Sequence, residues 1–269
     1  MLFDSHTHLN ASEFDEDRDQ ALAKARAAGV KGMTLIGSDR ESIDRANEML
    51  AQNDDLLAVF GWHPVDAIDF GSEEEALLRQ QLTHPKAVGV GEIGLDFYWD
   101  KSPQEVQERV LRQQLAIARE YELPVVIHSR DAQEATYQIL KEEKIGEIGG
   151  VIHNFGDGPD LAQAYLDLGM YLSFSGVSTF KKSKEVREAV RLCPKDRILI
   201  ETDSPYLTPE PKRGQKNGSH LVRYVCNRLS DELDMSYEDF AQLTFDNACR
   251  FFNLTYDGQT FQKKGQADG

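Results

Sequence analysis

The chain has 269 residues, of which 46 are Asp or Glu and 30 are Lys or Arg, so its formal net charge is −16. Holding a long nucleic acid by its backbone requires a wide basic surface, so this charge argues against an architectural or DNA-coating protein but allows an enzyme that grips one phosphate. With 40% hydrophobic residues, no apolar stretch near the roughly 20 residues of a membrane span, and no secretory signal at its start, we expect a globular cytoplasmic protein without membrane contacts.

Short apolar runs rich in β-branched residues recur along the chain, separated by longer helical segments. Their starts lie 21 to 37 residues apart, which leaves room for one strand, one helix and two short loops in each repeat. Runs such as 125–127 and 198–200 are apolar on both faces, as is typical of a parallel sheet covered by helices. The eight predicted strands cover residues 2–8, 30–37, 56–63, 87–93, 124–129, 149–154, 170–175 and 197–203.

Helix signals fill the segments between these strands. Ser102 and Glu105 have the spacing of a capping box, and apolar residues at helical spacing follow until Pro124. Eight strand and helix units predict an α/β fold, a slightly distorted (β/α)8 TIM barrel in which residues 1–256 form a single domain with extra C-terminal helices. Residues 257–269 are predicted to be a flexible polar tail. Further helices are predicted at 15–28, 41–51, 185–192, 221–233 and 237–252.

Candidate catalytic residues gather at the C-terminal strand ends, where such barrels place their active sites. The first strand ends in His6-Thr7-His8, and residues two apart in a strand share a face, so both imidazoles can meet one ion. Taken alone, a strand-end His is more often a hydrogen-bonded edge residue, and Glu92 could simply pair with Arg130. Burying many such groups together without a cation would be costly. The joint pattern predicts a metal site built from His6, His8, Glu92, His128, His153 and Asp203.

The predicted ligands divide between two divalent ions that share one carboxylate. One ion would take His6, His8 and Asp203, the other His128 and His153, and the two oxygens of Glu92 would bridge them. Mixed imidazole and carboxylate ligands suit transition metals better than calcium. The ions are expected to be zinc, magnesium or manganese, and the sequence does not choose among them.

Two such ions predict hydrolysis as the reaction, because they lower the pKa of a shared water and stabilise the charge that develops on the attacked group. We expect Asp203 to orient and deprotonate this water. Glu201, two residues earlier on the same strand face, is expected to assist the leaving group or to position the substrate.

Six motifs together resemble the TatD family of metal-dependent deoxyribonucleases, which are amidohydrolase-like barrel enzymes. The resemblance spans roughly residues 2–256 and implies a metal-dependent DNase, often a 3′-to-5′ exonuclease, with a Glu where many relatives use a carbamylated Lys. Matched residue by residue, the family's ligands fall on the six residues named above. The motifs are Asp4-Ser5-His6-Thr7-His8, Gly61-Trp62-His63-Pro64, Gly91-Glu92-Ile93-Gly94-Leu95-Asp96, His128-Ser129-Arg130-Asp131, His153-Asn154-Phe155 and Glu201-Thr202-Asp203-Ser204-Pro205-Tyr206-Leu207.

Two departures from the family pattern leave every ligand intact. Asn154 stands where many members carry Cys, and the segment 213–219 lacks a usual Pro. Neither departure touches the metal chemistry, although substrate preference could shift. The resemblance implies DNA ends, or short or single-stranded DNA, as substrates, and we expect a monomer.

Several residues around the metal site are candidates for substrate binding. His63 is expected to contact a phosphate or base, although it could instead cap its loop, and Arg130 could pair with a phosphate or with a neighbouring Asp. Trp62 and Trp99 flank the mouth and could stack on bases, although such aromatics more often pack. Asp4 and Asp96 could each orient a ligand imidazole or, for Asp96, help to bind substrate.

The loops after strands seven and eight carry the basic residues Lys181, Lys212 and Arg213, where barrels often bind phosphate. Residues 181–216 hold ten Lys or Arg against six Asp or Glu, so they are locally basic in an acidic chain. Some of these side chains could equally lie on a solvated helix face.

Two other functions remain open from the sequence. The same metal site could serve an amide or ester hydrolase, such as a D-aminoacyl-tRNA deacylase, because aminoacyl-tRNA also carries phosphates. The barrel could also be a non-catalytic metal-binding module, since a fold does not determine a function.

Overall fold

A computed structural model describes residues 1–265 of the chain. Eight parallel strands follow one another in sequence order around a nearly closed barrel, each hydrogen-bonded to the next. The predicted (β/α)8 TIM barrel is therefore confirmed. The strands are β1 Leu2–Thr7, β2 Val30–Gly37, β3 Leu56–Phe60, β4 Ala87–Asp96, β5 Val125–Arg130, β6 Gly150–Ile152, β7 Tyr171–Phe174 and β8 Ile198–Ile200.

Helices cover the outside of the barrel, and each buries an apolar stripe against the strands. In the longest, Val110, Leu111 and Leu115 are buried at helical spacing, as the sequence predicts. No helix between residues 1 and 265 is both long and apolar enough to cross a membrane. The helices are α1 Arg18–Ala27, α2 Arg40–Leu50, α3 Ser72–Leu82, α4 Gln104–Glu120, α5 Gln133–Glu142, α6 Pro159–Asp167, α7 Lys184–Leu192, α8 Val222–Glu232 and α9 Tyr237–Phe251.

The inside of the barrel forms an apolar core of its own. Side chains from all eight barrel strands fill the lumen and pack against α9, which contributes Phe245 and Phe251 and is followed by Phe252. Phe3 of β1 stacks on Phe252 with ring centroids 6.0 Å apart. The last helix and this lumen core therefore close the end of the barrel where the strands begin.

The barrel is joined between β8 and β1 by a seam that differs from the regular ladders elsewhere in the described chain. Backbone bonds link Asp203 N–H to the His6 carbonyl and His8 N–H to the Ser204 carbonyl. The buried carboxylate of Asp4 completes the seam, accepting from the N–H of Thr202 at 2.8 Å and from its hydroxyl at 2.6 Å. Asp4 thus ties two strands together and does not orient a ligand imidazole, which corrects one sequence-based expectation.

The predicted flexible tail, residues 257–269, begins instead as a hairpin. Strand β9, Leu254–Tyr256, pairs antiparallel with β10, Phe261–Lys263, and Asp257 accepts N–H bonds that shape the turn. Phe261 anchors the hairpin, with its ring edge-on to Phe3 at 5.5 Å. The sequence predicts a tail here because the segment is mostly polar. The single apolar anchor, Phe261, is too weak a signal to predict a strand. Residues 266–269 lie outside the described residues.

The seam carboxylate predicts a pH-dependent stability. Burial raises the pKa of Asp4 to about 7, against about 3.9 in an unfolded chain. The folded state then keeps a proton that the unfolded state loses, so this contribution is present below about pH 4 and is lost as the pH rises through 7, by up to about 4 kcal/mol. Asp4→Asn does not titrate, and it can still accept the Thr202 N–H through its oxygen and donate its amide N–H to the Thr202 hydroxyl oxygen.

We therefore expect Asp4→Asn to gain stability relative to the unsubstituted protein as the pH rises from 4 to 8. Urea unfolding of chelated protein at a series of pH values measures this difference, in which the other titrating groups cancel. Parallel stability curves for the two proteins would contradict the role assigned to Asp4.

Candidate metal centre

The C-terminal ends of β1, β4, β5, β6 and β8 meet at one pocket of about 830 Å³. The structure brings all six predicted ligands together there, and His6 lies fully buried behind the other five. The five that line the pocket are His8, Glu92, His128, His153 and Asp203.

Four donor atoms surround one point on the β1 side of the pocket. The Nε2 atom of His6 lies 3.3 Å from His8 Nε2, 3.4 Å from Glu92 Oε2 and 3.6 Å from Asp203 Oδ1. His8 Nε2 lies 3.3 Å from the same Asp203 oxygen and 3.8 Å from the same Glu92 oxygen. The edges of a tetrahedral site with bonds of about 2.1 Å measure about 3.4 Å. His6, His8 and Asp203 are therefore close enough to hold a cation between them, with Glu92 Oε2 beside the two imidazoles.

The second oxygen of Glu92 faces a different pair of imidazoles. Its Oε1 atom lies 2.8 Å from His128 Nδ1 and 2.9 Å from His153 Nε2. The outer nitrogens of these rings meet other carboxylates, because His128 Nε2 lies 2.8 Å from Asp96 Oδ2 and His153 Nδ1 lies 3.2 Å from Glu201 Oε1. This arrangement resembles the way proteins orient ligand imidazoles through an outer carboxylate.

Electrostatics couples these groups strongly. Burial alone would lower the pKa of His153, but Glu92 and Glu201 raise it well above its usual value. Burial likewise opposes ionisation of Glu92, yet His153, His128 and His6 hold its pKa well below the usual range. The imidazoles and the buried carboxylates thus stabilise each other's charged forms, and divalent cations between the same atoms would serve the same purpose.

A glycine allows β4 and β5 to approach closely enough for this contact. Gly94 has φ +145°, and a Cβ there would lie 1.9 Å from the carbonyl oxygen of His128. Only glycine fits this position, because any side chain would push the His128 strand away from Glu92.

The sequence allowed His63 either to contact a substrate or to cap its loop. In the structure it caps the loop and also faces the pocket. Its Nδ1 accepts the N–H of Val65 at 3.2 Å and so caps the turn that follows β3. Burial lowers the pKa of His63 to about 4, so the ring is neutral and carries its proton on Nε2. Nε2 faces the pocket, 3.7 Å from Glu92 Oε1. His63 is close enough to Glu92 and His128 to share a cation with them, but in this tautomer its Nε2–H is a hydrogen-bond donor that faces the pocket.

Glu201 does not face the substrate pocket, which corrects its predicted role at the leaving group. It is 1% exposed. One oxygen accepts from Asn154 N–H at 2.7 Å and meets His153, while the other accepts from the Ser173 hydroxyl. Glu201 is therefore a positioning residue for His153.

Asp96 also positions a ligand, so its predicted contact with substrate is not supported. It is 1% exposed, and beyond its bond to His128 it accepts the N–H groups of Tyr98 and Trp99 at 3.0 and 3.1 Å. Both oxygens are thus in use.

Arg130 lies in the pocket with its guanidinium 3.8 Å above the ring of Tyr98. Within residues 1–265 it forms no ion pair, so the alternative of a bond to Asp131 or Asp96 is not realised. Arg130 remains available for a phosphate.

The basic loops lie outside the pocket, contrary to expectation. Lys181, Lys212 and Arg213 are absent from its lining, and Arg213 stacks 3.9 Å above the ring of Phe180. The lining instead contains Arg130 and five carboxylates, two of which, Asp131 and Asp157, were not predicted. So acidic a pocket would repel a phosphate unless cations were bound in it.

The buried bonds of Glu201 predict a large loss of stability when its side chain is removed. Glu201→Ala leaves His153, Asn154 N–H and the Ser173 hydroxyl without their acceptor, and we expect a loss of about 3–5 kcal/mol in the free energy of unfolding. Glu201→Gln keeps one oxygen acceptor and is expected to lose less. Urea unfolding of chelated protein measures both. If the Ala variant were as stable as the unsubstituted protein, the bonds to Glu201 would contribute nothing.

Comparison with known proteins adds an independent finding. A family model described as TatD related DNase matches residues 3–253. A metal-dependent hydrolase of Bacillus subtilis, YabD, is 44% identical over 94% of this chain and 100% of its own length. A 3′-5′ ssDNA/RNA exonuclease, TatD, of a Rahnella species is 33% identical over 94% of this chain and 99% of its own. The crystal structure of the TatD homologue YJJV from Escherichia coli superposes with a TM-score of 0.88 at 28% identity, covering 94% of this chain and 98% of that one.

Proposed function

Because this chain belongs to the TatD related DNase family, as its motifs predict, we propose that it removes nucleotides from the 3′ end of DNA by hydrolysis at a two-metal site. The chain is a metal-dependent hydrolase. The observation that carries the proposal is that the four predicted ligand imidazoles divide between the two oxygens of Glu92, with His6 and His8 near Oε2 and His128 and His153 near Oε1. A carboxylate whose two oxygens face separate imidazole pairs would suit hydrolysis with two metal ions.

The residues of the chain suit the chemistry of a phosphodiester. Two divalent ions in these clusters would activate a water and neutralise the phosphate. Burial opposes ionisation of Asp203, but His8, His153 and His6 lower its pKa, so it is a carboxylate on the pocket wall that can accept the proton of that water. His63 can donate Nε2–H to a phosphoryl oxygen, and Arg130 can pair with another.

The name of the Rahnella relative supports a nucleic-acid substrate with a free 3′ end. The size of the pocket agrees with this, because about 830 Å³ lies within the range of small-ligand sites and not of a groove for a duplex. The substrate proposed for this chain is therefore the end of a DNA strand.

The two clusters predict a metal stoichiometry that substitution can resolve. We expect two divalent ions per chain. Glu92→Gln should lower the affinity for both ions at least tenfold. Asp203→Asn should lower mainly the affinity for the ion beside His6 and His8, also at least tenfold. Equilibrium dialysis of chelated protein against Zn²⁺ or Mn²⁺, followed by elemental analysis, measures this. Asp131→Asn is the control, since Asp131 lines the pocket outside both clusters. One ion per chain, or equal losses in the control, would contradict the assignment.

Activity on DNA tests the proposed reaction directly. Metal-loaded protein should shorten a 5′-labelled single strand in one-nucleotide steps, chelation should stop the reaction, and Asp203→Asn should slow it by about 10²–10⁴-fold. Gel analysis of the labelled products gives both direction and rate. No shortening with Zn²⁺, Mg²⁺ or Mn²⁺, together with hydrolysis of D-aminoacyl-tRNA, would replace this proposal with a deacylase.

A further inference from the structure

Exposed aromatic side chains are concentrated at the mouth of the pocket. Six large apolar side chains are exposed within residues 1–265, and three of them, Tyr98, Trp99 and Tyr206, follow β4 and β8. Trp99 is 54% exposed and Tyr206 52% exposed, and both line the pocket. Trp62, by contrast, is 5% exposed and donates Nε1–H to the carbonyl of Asp66, so it is a packing residue.

Trp99 and Tyr206 belong to opposite sides of the metal centre. The backbone N–H of Trp99 is held by Asp96, whose other oxygen holds His128. The backbone N–H of Tyr206 donates to the carbonyl of Asp203, and its ring centroid lies 6.2 Å from that of His8. Each aromatic is thus attached to the loop that carries one of the two clusters.

Contacts around both rings restrict their movement. Tyr98 packs edge-on against Trp99, with ring centroids 5.0 Å apart and an angle of 87° between the planes, and Arg130 covers Tyr98. The hydroxyl of Tyr206 lies 3.1 Å from Glu13 Oε1. Exposed rings that are held in place are suited to stacking, because little conformational freedom is lost on binding.

We propose that Trp99 and Tyr206 are two base-stacking platforms, one on each side of the phosphodiester to be cleaved, and that they select nucleotides whose bases are unpaired. This inference rests on the proposed function and assigns the residues that would hold the bases on the two sides of the cleaved bond. Inside a duplex each base is stacked on both faces, and a terminal pair leaves only one face free, so a duplex end cannot occupy both platforms. A single strand offers a free face at every nucleotide.

The charge distribution supports stacking as the main source of affinity. Among the described residues, the pocket lining contains five carboxylates and, apart from its imidazoles, Arg130 as the one basic side chain, while Lys181, Lys212 and Arg213 lie outside it. Within the pocket the protein therefore offers few basic side chains to neutralise phosphates, so the affinity gained there from counterion release is small. Stacking does not depend on a basic surface, and a chain of net charge −16 can use it.

Binding to matched probes tests the proposal without relying on catalysis. Metal-loaded protein is titrated into a dye-labelled short strand with hydrolysis-resistant phosphorothioate linkages, and into a strand of the same length and charge that lacks bases. Trp99→Ala and Tyr206→Ala should each weaken binding of the first strand by about 5- to 150-fold and leave binding of the second unchanged. Trp99→Phe and Tyr206→Phe keep an aromatic ring, so they should weaken binding of the first strand less than the Ala variants do.

Leu192→Ala is the matched control, because Leu192 is an exposed apolar residue at the end of α7, next to the start of β8 and away from the pocket. It should bind both strands as the unsubstituted protein does. Fluorescence gives a second measure, since Trp62 and Trp99 are the two tryptophans of the chain. The strand with bases should quench the emission, the strand without bases should not, and Trp99→Phe should abolish the quenching.

The outcomes separate this inference from the proposed function. The stacking assignment is wrong if the Ala variants bind both strands as tightly as the unsubstituted protein, or if they lose the same affinity for both. This holds even if the protein cleaves DNA. If no unmodified strand is cleaved but bases are required for binding and quenching, the exonuclease proposal fails and the stacking platforms stand.

Discussion

The metal centre depends on one buried carboxylate with two oxygens that face different partners. Glu92 can do this because β4 carries it to the pocket between β1 on one side and β5 with β6 on the other. Its ionisation in a dry environment requires positive charge on both sides. The close strand contact at Gly94 and the outer carboxylates of Asp96 and Glu201 all maintain the geometry around this group.

Three of the buried carboxylates of the chain have structural roles. The three are almost fully buried, and each accepts at least one backbone N–H bond. Asp4 accepts from Thr202, Asp96 accepts from Tyr98 and Trp99, and Glu201 accepts from Asn154. Such carboxylates determine where the ends of the strands lie, because their hydrogen bonds are directional. A negative net charge therefore says little about whether the pocket can engage a phosphate.

The sequence predicted the barrel, and it predicted that six residues able to bind metal would lie together, because local patterns indicate both. Apolar runs at regular spacing mark strands, and polar residues that directly follow them must lie at one end of a parallel sheet. Such a pattern does not predict which groups each side chain contacts. Alternation placed Glu201 near the centre, but only the structure shows that Ser173 and Asn154 occupy its oxygens. In the same way, the position of Lys212 after β8 did not reveal that it lies outside the pocket.

The packing of α9 against the barrel lumen has a consequence for how the enzyme exchanges molecules with solvent. Phe245 and Phe252, together with Phe3, fill the end of the barrel opposite the metal centre, so no strand can thread through the molecule. Substrate and product must share a single entrance. In the proposed exonuclease reaction, a released nucleotide would have to leave past the shortened strand, or wait until that strand departs. Product exit would then compete with the advance of the strand for the next cleavage.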